Sequence, residues 1–231
     1  WEKPIYVKFG ATRVNYDVKL AVHAGADVVV IDGMQGGTAA TQTTFIEHVG
    51  IPTLAAIPQA VQALEELDVR GKVQLIVSGG IRTGADVAKA LALGADAVSI
   101  GQGMLFALGC NREVYWQDGA FQSAIPGYEQ LGVVPGTCHH CHTGRCPVGV
   151  TTQDPELEQR LEPEMGAKWV RNYLKTLNME LTTLARACGK QDVHHLERED
   201  LVALTVEAAA MARVPLAGTD WIPGAKGSIN L

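Results

Sequence analysis

One alternation constrains the fold more than any other feature of this chain. Four short runs rich in β-branched residues stand at IYVKFG (5–10), VVVIDG (28–33), QLIVSGG (74–80) and AVSIG (97–101). Stretches with helical periodicity separate them at 13–24, 58–67 and 84–93. A weaker strand or loop, TLAAI, precedes the helix expected at 58–67. Apolar strands alternating with helices predict βα units and a parallel sheet buried on both faces. An internal echo supports a repeat, because GADVVVID (25–32) and GADAVSIG (94–101) each close one helix and open the next strand. Such units build a (β/α)8 barrel or a doubly wound sheet. The second is weakened because no G-x-G-x-x-G follows any of the strands. Four strands are half a barrel, and a half barrel leaves two open parallel edges. The expected fold is therefore α/β, the C-terminal half of a barrel. The other half is expected N-terminal to Trp1 or in another chain, so that the protein works as an oligomer or as part of a longer polypeptide. The start, WEKPIYVKFG, has no initiator Met and almost no lead-in, and is expected to reflect processing or a longer parent.

The function classes narrow on bulk properties. The chain has 231 residues, 47% of them apolar, and a net charge of −6 with both signs interspersed. That balance argues against a nucleic-acid surface. No apolar run approaches the roughly 20 residues that cross a bilayer, so no membrane partner is expected. No signal peptide is visible, so a cytoplasmic, reducing compartment is the default. There a cysteine cluster reads as metal binding or catalysis before disulfide bonding.

Beyond residue 102 the pattern changes. Residues 111–153 are rich in Gly, Pro and polar groups and show no clear period. A helix is expected to start at DPELEQRL, with Asp154 as N-cap and Pro155 at the first helical position. A long helix over 166–187 carries Val170, Leu174, Leu177, Leu181, Leu184 and Cys188 at spacings that predict one buried stripe ended by Gly189. Cys188 is expected to be a core thiol. The domain reading is a half barrel at 1–109, a ligand-rich loop region at 110–164 and a helical extension at 165–231.

Two glycine clusters mark the ends of consecutive strands, Ser78-Gly79-Gly80 and Gly101-Gln102-Gly103. Glycines there let backbone N–H groups approach an anion, and a helix N-terminus near Gly84 adds partial positive charge. The pair predicts a phosphate site. This stretch resembles the FMN-binding (β/α)8 barrels, among them glutamate synthase, the flavin-dependent isopentenyl-diphosphate isomerase, the 2-hydroxy-acid oxidases and IMP dehydrogenase. The resemblance implies FMN, with its phosphate on Ser78, Gly79, Gly80, Gly101 and Gln102. Lys8 lies near the C-terminal end of its strand, where barrel sites form, and a lysine in an apolar strand is costly to bury without an anionic partner. In these families such a lysine approaches the flavin N1/C2 carbonyl, which implies a catalytic and cofactor-binding role for Lys8 in stabilising the reduced ring. The loop DGMQGGTAA (32–40) offers Gly36, Gly37 and Thr38 to a substrate carboxylate. A similar Gly-Gly-Thr loop in glutamate synthases implies substrate contact there. IMP dehydrogenases have a loop cysteine in this part of the barrel and the hydroxy-acid oxidases a His-Gly-Gly motif; this chain has neither at that place.

The densest ligand cluster is CHHCHTGRCPVG (138–149), with three cysteines and three histidines in nine positions. Cys138, Cys141 and Cys146 follow a C-x2-C-x4-C spacing with Pro147 after the last. Thiolates this close on a Gly-rich loop suit a soft metal or a cluster. Zinc held by three cysteines and one of His139, His140 or His142 is the alternative. The segment CHTGRCPVGVTTQDPEL (141–157) is similar to the [3Fe-4S]-binding segment of glutamate synthase. In that family the first cysteine follows LGC and stands a few residues before the second. Here Cys110 holds the LGC position, and an insertion, 111–137, separates it from Cys141. The expected ligands are Cys138, Cys141 and Cys146, because a short loop costs less closure entropy. A [4Fe-4S] cluster with Cys110 added is the other option.

The resemblance implies a glutamate synthase-type enzyme subunit that acts on glutamate or 2-oxoglutarate with an amine. N-methylglutamate synthase, whose domains are divided among separate polypeptides, is the first specific expectation, with methylamine and glutamate as substrates. An ammonia-using glutamate synthase is the second, and an electron-transfer subunit without its own substrate site the third. Expected partners are an amidotransferase-like and a glycine-repeat β-helix subunit.

Overall fold

The computed structural model describes residues 3–36 and 43–225, the side chains at 43 and 46 excepted. Gly37 and Thr38 lie outside the described residues. The chain divides into two compact units. Trp1–Gly36, Glu47–Ile100 and Asn178–Leu231 form the first, Gly37–Ile46 and Gly101–Leu177 the second.

In the first unit all four expected strands form. β1 (Tyr6–Gly10), β2 (Val28–Asp32), β3 (Gln74–Ser78) and β4 (Ala97–Ser99) make a parallel sheet in sequence order. α1 (Val14–His23) follows β1, α2 (Thr43–His48) and α3 (Thr53–Glu66) follow β2, and α4 (Gly84–Ala92) follows β3. The pleat sorts the side chains. Val29, Ile31, Leu75 and Val77 are fully buried, each such burial contributing about 1.5–3 kcal/mol. Their alternates Lys8, Val30, Ile76 and Ala97 are half-buried or exposed. Burial on both faces, as the apolar runs suggested, is therefore not what this chain achieves. One face is packed, and the other is largely uncovered among the described residues. A closed barrel turns that second face inward against the strands opposite, which four strands cannot do alone.

α3 departs from expectation. It begins at Thr53, so TLAAI is its first turn and Pro58 lies inside it. The proline forfeits one helical hydrogen bond. Against that loss the helix buries Ala56, Ile57, Ala60, Val61, Ala63 and Leu64. α1 packs on it through Val14, Val18 and Ala21, a 3–4 spacing on one face. At the rim Lys19 and Asn15 of α1 reach Glu66 of α3. The hydrogen bonds from Lys19, Gln62 and Asn15 hold the Glu66 carboxyl down at about 2.

In the second unit, α5 (Gln102–Ala107) is followed by a hairpin of β5 (Val114–Gln117) and β6 (Ala120–Ser123), then by α6 (Ile125–Gln130). Sequence periodicity missed all three. Asp118 and Gly119 both have positive φ, 52° and 77°, the two-residue type I′ loop that Asp-Gly favours. That dipeptide between VYWQ and AFQS was a readable signal. Trp116 and Phe121 pair edge to face across the hairpin at 4.9 Å. α7 (Pro155–Glu158) starts as expected, with Asp154 Oδ1 accepting from the N–H groups of Glu156 and Leu157.

α8 (Pro163–Ala187) runs from the second unit into the first. The continuous buried stripe expected along it does not form. Leu181 and Ala185 are buried, but Leu174 and Leu184 are 42% and 38% exposed. Cys188 is exposed and is not a core thiol. The reason is geometric: a 3–4 ladder of apolar residues is buried only where a neighbour covers it. Gly189 does end the helix, at φ 74°. α9 (Val206–Ala212) packs against α3.

Candidate functional site

The uncovered sheet face carries its polar groups at the C-terminal ends of the strands. Gly10, Asp32, Ser78 and Ser99 stand in register across all four strands. Parity puts Lys8 on the same face, opposite Val30 and one step back from this row. Lys8 Nζ reaches Asp32 Oδ2 at 3.0 Å. The lysine therefore does have an anionic partner, supplied by the chain itself, and with its side chain 55% exposed it is not buried. Asp32 Oδ1, in contrast, is buried and finds no hydrogen-bond partner among the described residues. Gly36 packs directly on it, so that any Cβ at residue 36 would overlap Asp32 Oδ1.

Thr53, at the start of α3, ties the loops around this row together. Its N–H donates to Gln35 Oε1 at 2.9 Å, and its hydroxyl donates to the Gly79 carbonyl at 2.8 Å. The loop after β2 is thus held to the loop after β3. Gly79 and Gly80 have φ of 103° and 78°, a region that side chains rarely adopt. A Cβ on Gly79 would stand 2.9 Å from the Gly33 carbonyl. These glycines are needed for the chain's own close approach as well as for any ligand.

The helix start expected to reinforce a phosphate site is already occupied. Asp86 accepts from the N–H groups of Arg82 and Thr83, Thr83 Oγ1 caps Asp86 N–H, and Glu180 accepts from Gly84 N–H at 2.8 Å. Two carboxylates at that end repel a phosphate, so the α4 start is removed from the expected anion site. Gly101, in the second unit, is different. It opens α5 at φ −95°, and among the described residues it has no side-chain cap and nothing lies within 4 Å of where its Cβ would stand.

The second candidate site is the thiol loop. α5 ends in a Schellman turn, with Cys110 N–H donating to the Leu105 carbonyl at 2.9 Å and Gly109 at φ 97°. Cys138 and Cys146 pack against a small core of Ala124, Tyr128 and Val148. Cys141 opens a 3₁₀ turn, Cys141–Thr143. The inserted hairpin and α6 thus serve as the floor under this loop. Arg160 fixes it further, donating to the Pro147 carbonyl at 2.9 Å while stacking on Tyr115. Burial pushes the Cys110 thiol up to about 11, with added repulsion from Cys141, Cys146 and Cys138. The four thiols are close enough for each other's charge to matter. Among the described residues no three His, Cys, Asp or Glu side chains are placed to hold a single metal ion. His139, His140 and His142 stack on one another.

The donor set fits an iron–sulfur cluster, whose irons spread the thiolates over separate metal atoms. Arg112 adds a half-buried cation beside these thiols. Its Nε is buried and finds no hydrogen-bond partner among the described residues, and burial lowers its pKa while Tyr128 and then Cys146 oppose that. The uncovered face fits a flavin ring through its row of small residues and the Lys8 cation beside it. Asp32, Thr53, Gln35, Asn111 and Arg112 went unnoticed in the sequence. For Asp32 the signal was present, an acid closing an apolar strand.

The fold defined by these features is α/β with a parallel sheet. It resembles that of a flavocytochrome b2 variant solved with sulfite bound, at a TM-score of 0.52 and 20% identity, over 86% of this chain and 35% of that one; at this identity the likeness shows the fold alone. The sequence is more specific: the profile of the conserved region in glutamate synthase matches residues 1–115 and 132–191, and the chain belongs to that family. The stretch between the two matched segments contains most of the hairpin and all of α6. A glutamate synthase large subunit-like protein of Rhizobium meliloti is 60% identical over 97% of this chain and 49% of its own length. An archaeal glutamate synthase [NADPH] of Methanocaldococcus jannaschii is 40% identical over 85% of this chain and 34% of its own. The chain thus spans about half the length of the first relative and a third of the second. No helix among the described residues is long and apolar enough to cross a membrane.

Proposed function

We propose that this chain is the flavin- and cluster-bearing part of a glutamate synthase-type enzyme. The observation that carries the reading is the pairing, within one family-matched chain, of a polar strand-end row beside Lys8 with four thiols in mutual range. The fold is read as the C-terminal half of a (β/α)8 barrel, completed by the rest of a longer polypeptide or by a partner chain. Amidotransferase-like and glycine-repeat β-helix subunits are the proposed partners.

FMN would be held by Ser78, Gly79 and Gly80, by Gly101 and Gln102, and by Lys8, and it would supply hydride transfer to or from the carbon bearing the amine. The thiol loop would hold a one-electron iron–sulfur centre. The chain's own residues bind and orient. Lys8 offers a cation whose charge Asp32 partly balances. Gly36, with Gly37 and Thr38, receives the substrate carboxylate. Thr53 keeps the two loops at fixed spacing, which matters because catalysis depends on near-attack geometry.

The proposed reaction joins methylamine to glutamate with release of ammonia. The alternative, ammonia with 2-oxoglutarate, is favoured by the glutamate synthase [NADPH] relative. A product assay on the full-length protein with each amine separates the two. Anaerobic bleaching of the flavin by glutamate tests the reading itself. A flavin that glutamate never reduces, in a fully assembled protein, would leave only electron transfer.

A further inference from the structure

We propose that Gln35 binds the substrate, its side-chain NH2 donating to a carboxylate oxygen of a dicarboxylic amino or keto acid. The proposal rests on the reading that the strand-end row faces flavin and substrate, and it adds a contact that neither motif nor spacing singled out. Gln35 stands in the loop after β2, just past Asp32, and is exposed. Its side-chain oxygen is nonetheless fixed. Oε1 accepts from Thr53 N–H at 2.9 Å and lies 3.1 Å from Thr53 Oγ1. Thr53 is itself buried and opens the 14-residue α3. The Gln35 stem lies on Gly80, its Cβ and Cγ standing 3.1 Å and 3.5 Å from where a Gly80 Cβ would be. It occupies the side that this glycine leaves bare.

Fixing the oxygen also fixes the nitrogen. A reversed amide would set its NH2 against the Thr53 N–H and leave that donor without an acceptor, so the orientation is decided by chemistry. Nε2 therefore points away from Thr53, and among the described residues Oε1 is the one polar side-chain atom of Gln35 that is bonded. Such a side chain is pre-organised: its rotamer freedom is lost on folding and not on binding. An Oε1 that accepts at a helix start also polarises the amide and strengthens Nε2 as a donor. Location selects the ligand. Gly36, the next residue, packs on Asp32 Oδ1, and Asp32 Oδ2 holds Lys8 at 3.0 Å. Residues 35 and 36 thus touch Gly80 on one side and Asp32 on the other. Asp32 offsets part of the Lys8 charge, so an arriving carboxylate needs neutral donors besides that cation. An amide supplies two N–H groups without adding charge beside the flavin.

The test compares the full-length, FMN-loaded protein with its Gln35→Glu variant. The substitution keeps the shape and an oxygen for Thr53, at a helix start that favours an acid, and exchanges only the NH2 for a second acceptor. Expected are wild-type FMN content and a melting temperature no lower than that of wild type. Binding of 2-oxoglutarate, followed anaerobically by the change it causes in the flavin spectrum, should weaken about 10–100-fold, the loss of a hydrogen bond to a charged group. KM for that acid should rise by a similar factor while kcat stays within about twofold, as for a contact made equally in the ground and transition states. Wild-type affinity in Gln35→Glu refutes the proposal. Loss of FMN, with unchanged 2-oxoglutarate affinity in the fraction still loaded, also refutes it and gives Nε2 to the flavin phosphate. A wild-type flavin that neither 2-oxoglutarate nor glutamate perturbs overturns the flavin and substrate reading itself, and the proposal with it. Gln35→Met, which gives up the Thr53 bonds as well, serves where Gln35→Glu does not fold. Unchanged 2-oxoglutarate affinity in that variant is equally fatal.

Discussion

Thr53→Val isolates the hydroxyl that joins two loops of the candidate flavin site. Valine keeps the branched shape and the backbone N–H bonded to Gln35, and removes the hydroxyl, which lies 2.8 Å from the Gly79 carbonyl, 3.1 Å from Gln35 Oε1 and 3.2 Å from the Ser78 carbonyl. Thr53 is 7% exposed, so water does not readily replace that donor. The Ser78 carbonyl keeps its bond from Gly33 N–H at 2.9 Å. The part-buried Gly79 carbonyl therefore loses its donor, at a cost of about 1–3 kcal/mol. In a domain of 150–250 residues each kcal/mol moves the melting temperature by about 2–4 °C, so a loss near 2 kcal/mol lowers it by about 4–8 °C. The Gly79–Gly80 turn, no longer pinned, should also hold FMN more weakly. The assay is thermal melting and flavin titration of the full-length protein, with Thr53→Ser as the control that keeps the hydroxyl. Serine should lose less flavin affinity than valine. A Thr53→Val protein with unchanged melting and unchanged flavin affinity would show that the hydroxyl does not position the loop.

Gly101→Val and Gly80→Val should part company. Gly101 has open space around its missing Cβ and a φ of −95°, so its variant should melt like wild type yet lose FMN. Gly80, at φ 78°, should lose stability as well, by about 1–2 kcal/mol; wild-type FMN content in Gly101→Val counts against a phosphate contact there. Lys8→Met should retain most FMN but lower its reduction potential in spectroelectrochemical titration, because the reduced anionic ring loses a counter-charge. Metal-free protein should lose stability as pH rises from about 9 to about 11. Over that window unfolded Cys110 has given up its proton while burial keeps the folded thiol protonated. Urea midpoints across the window check this, and Cys110→Ala should flatten the slope.

The four strands of the parallel sheet were legible because a two-residue pleat writes itself into apolar runs, while the β5–β6 hairpin was not; Lys8, Ser78, Gly79 and Gly80 stand at or near the ends of those runs. The thiol motif was equally local, with Cys138, Cys141 and Cys146 in nine positions. The start of α3 was not legible, since Pro58 is a local stop signal that the burial of seven other residues of the same helix overrides only in three dimensions. Nor was the exposure of Cys188, because helical spacing says which residues share a face and not whether a neighbour covers it. The sequence by itself determined the parallel βα pattern, the glycine-ended strands and the cysteine spacing, all properties of short stretches. Only the tertiary structure decided that Asp32 answers Lys8, that acidic side chains take the α4 start, and that a folded insertion carries Cys110 to Cys138. Each joins residues far apart in the chain, and such pairings depend on packing that no local pattern encodes.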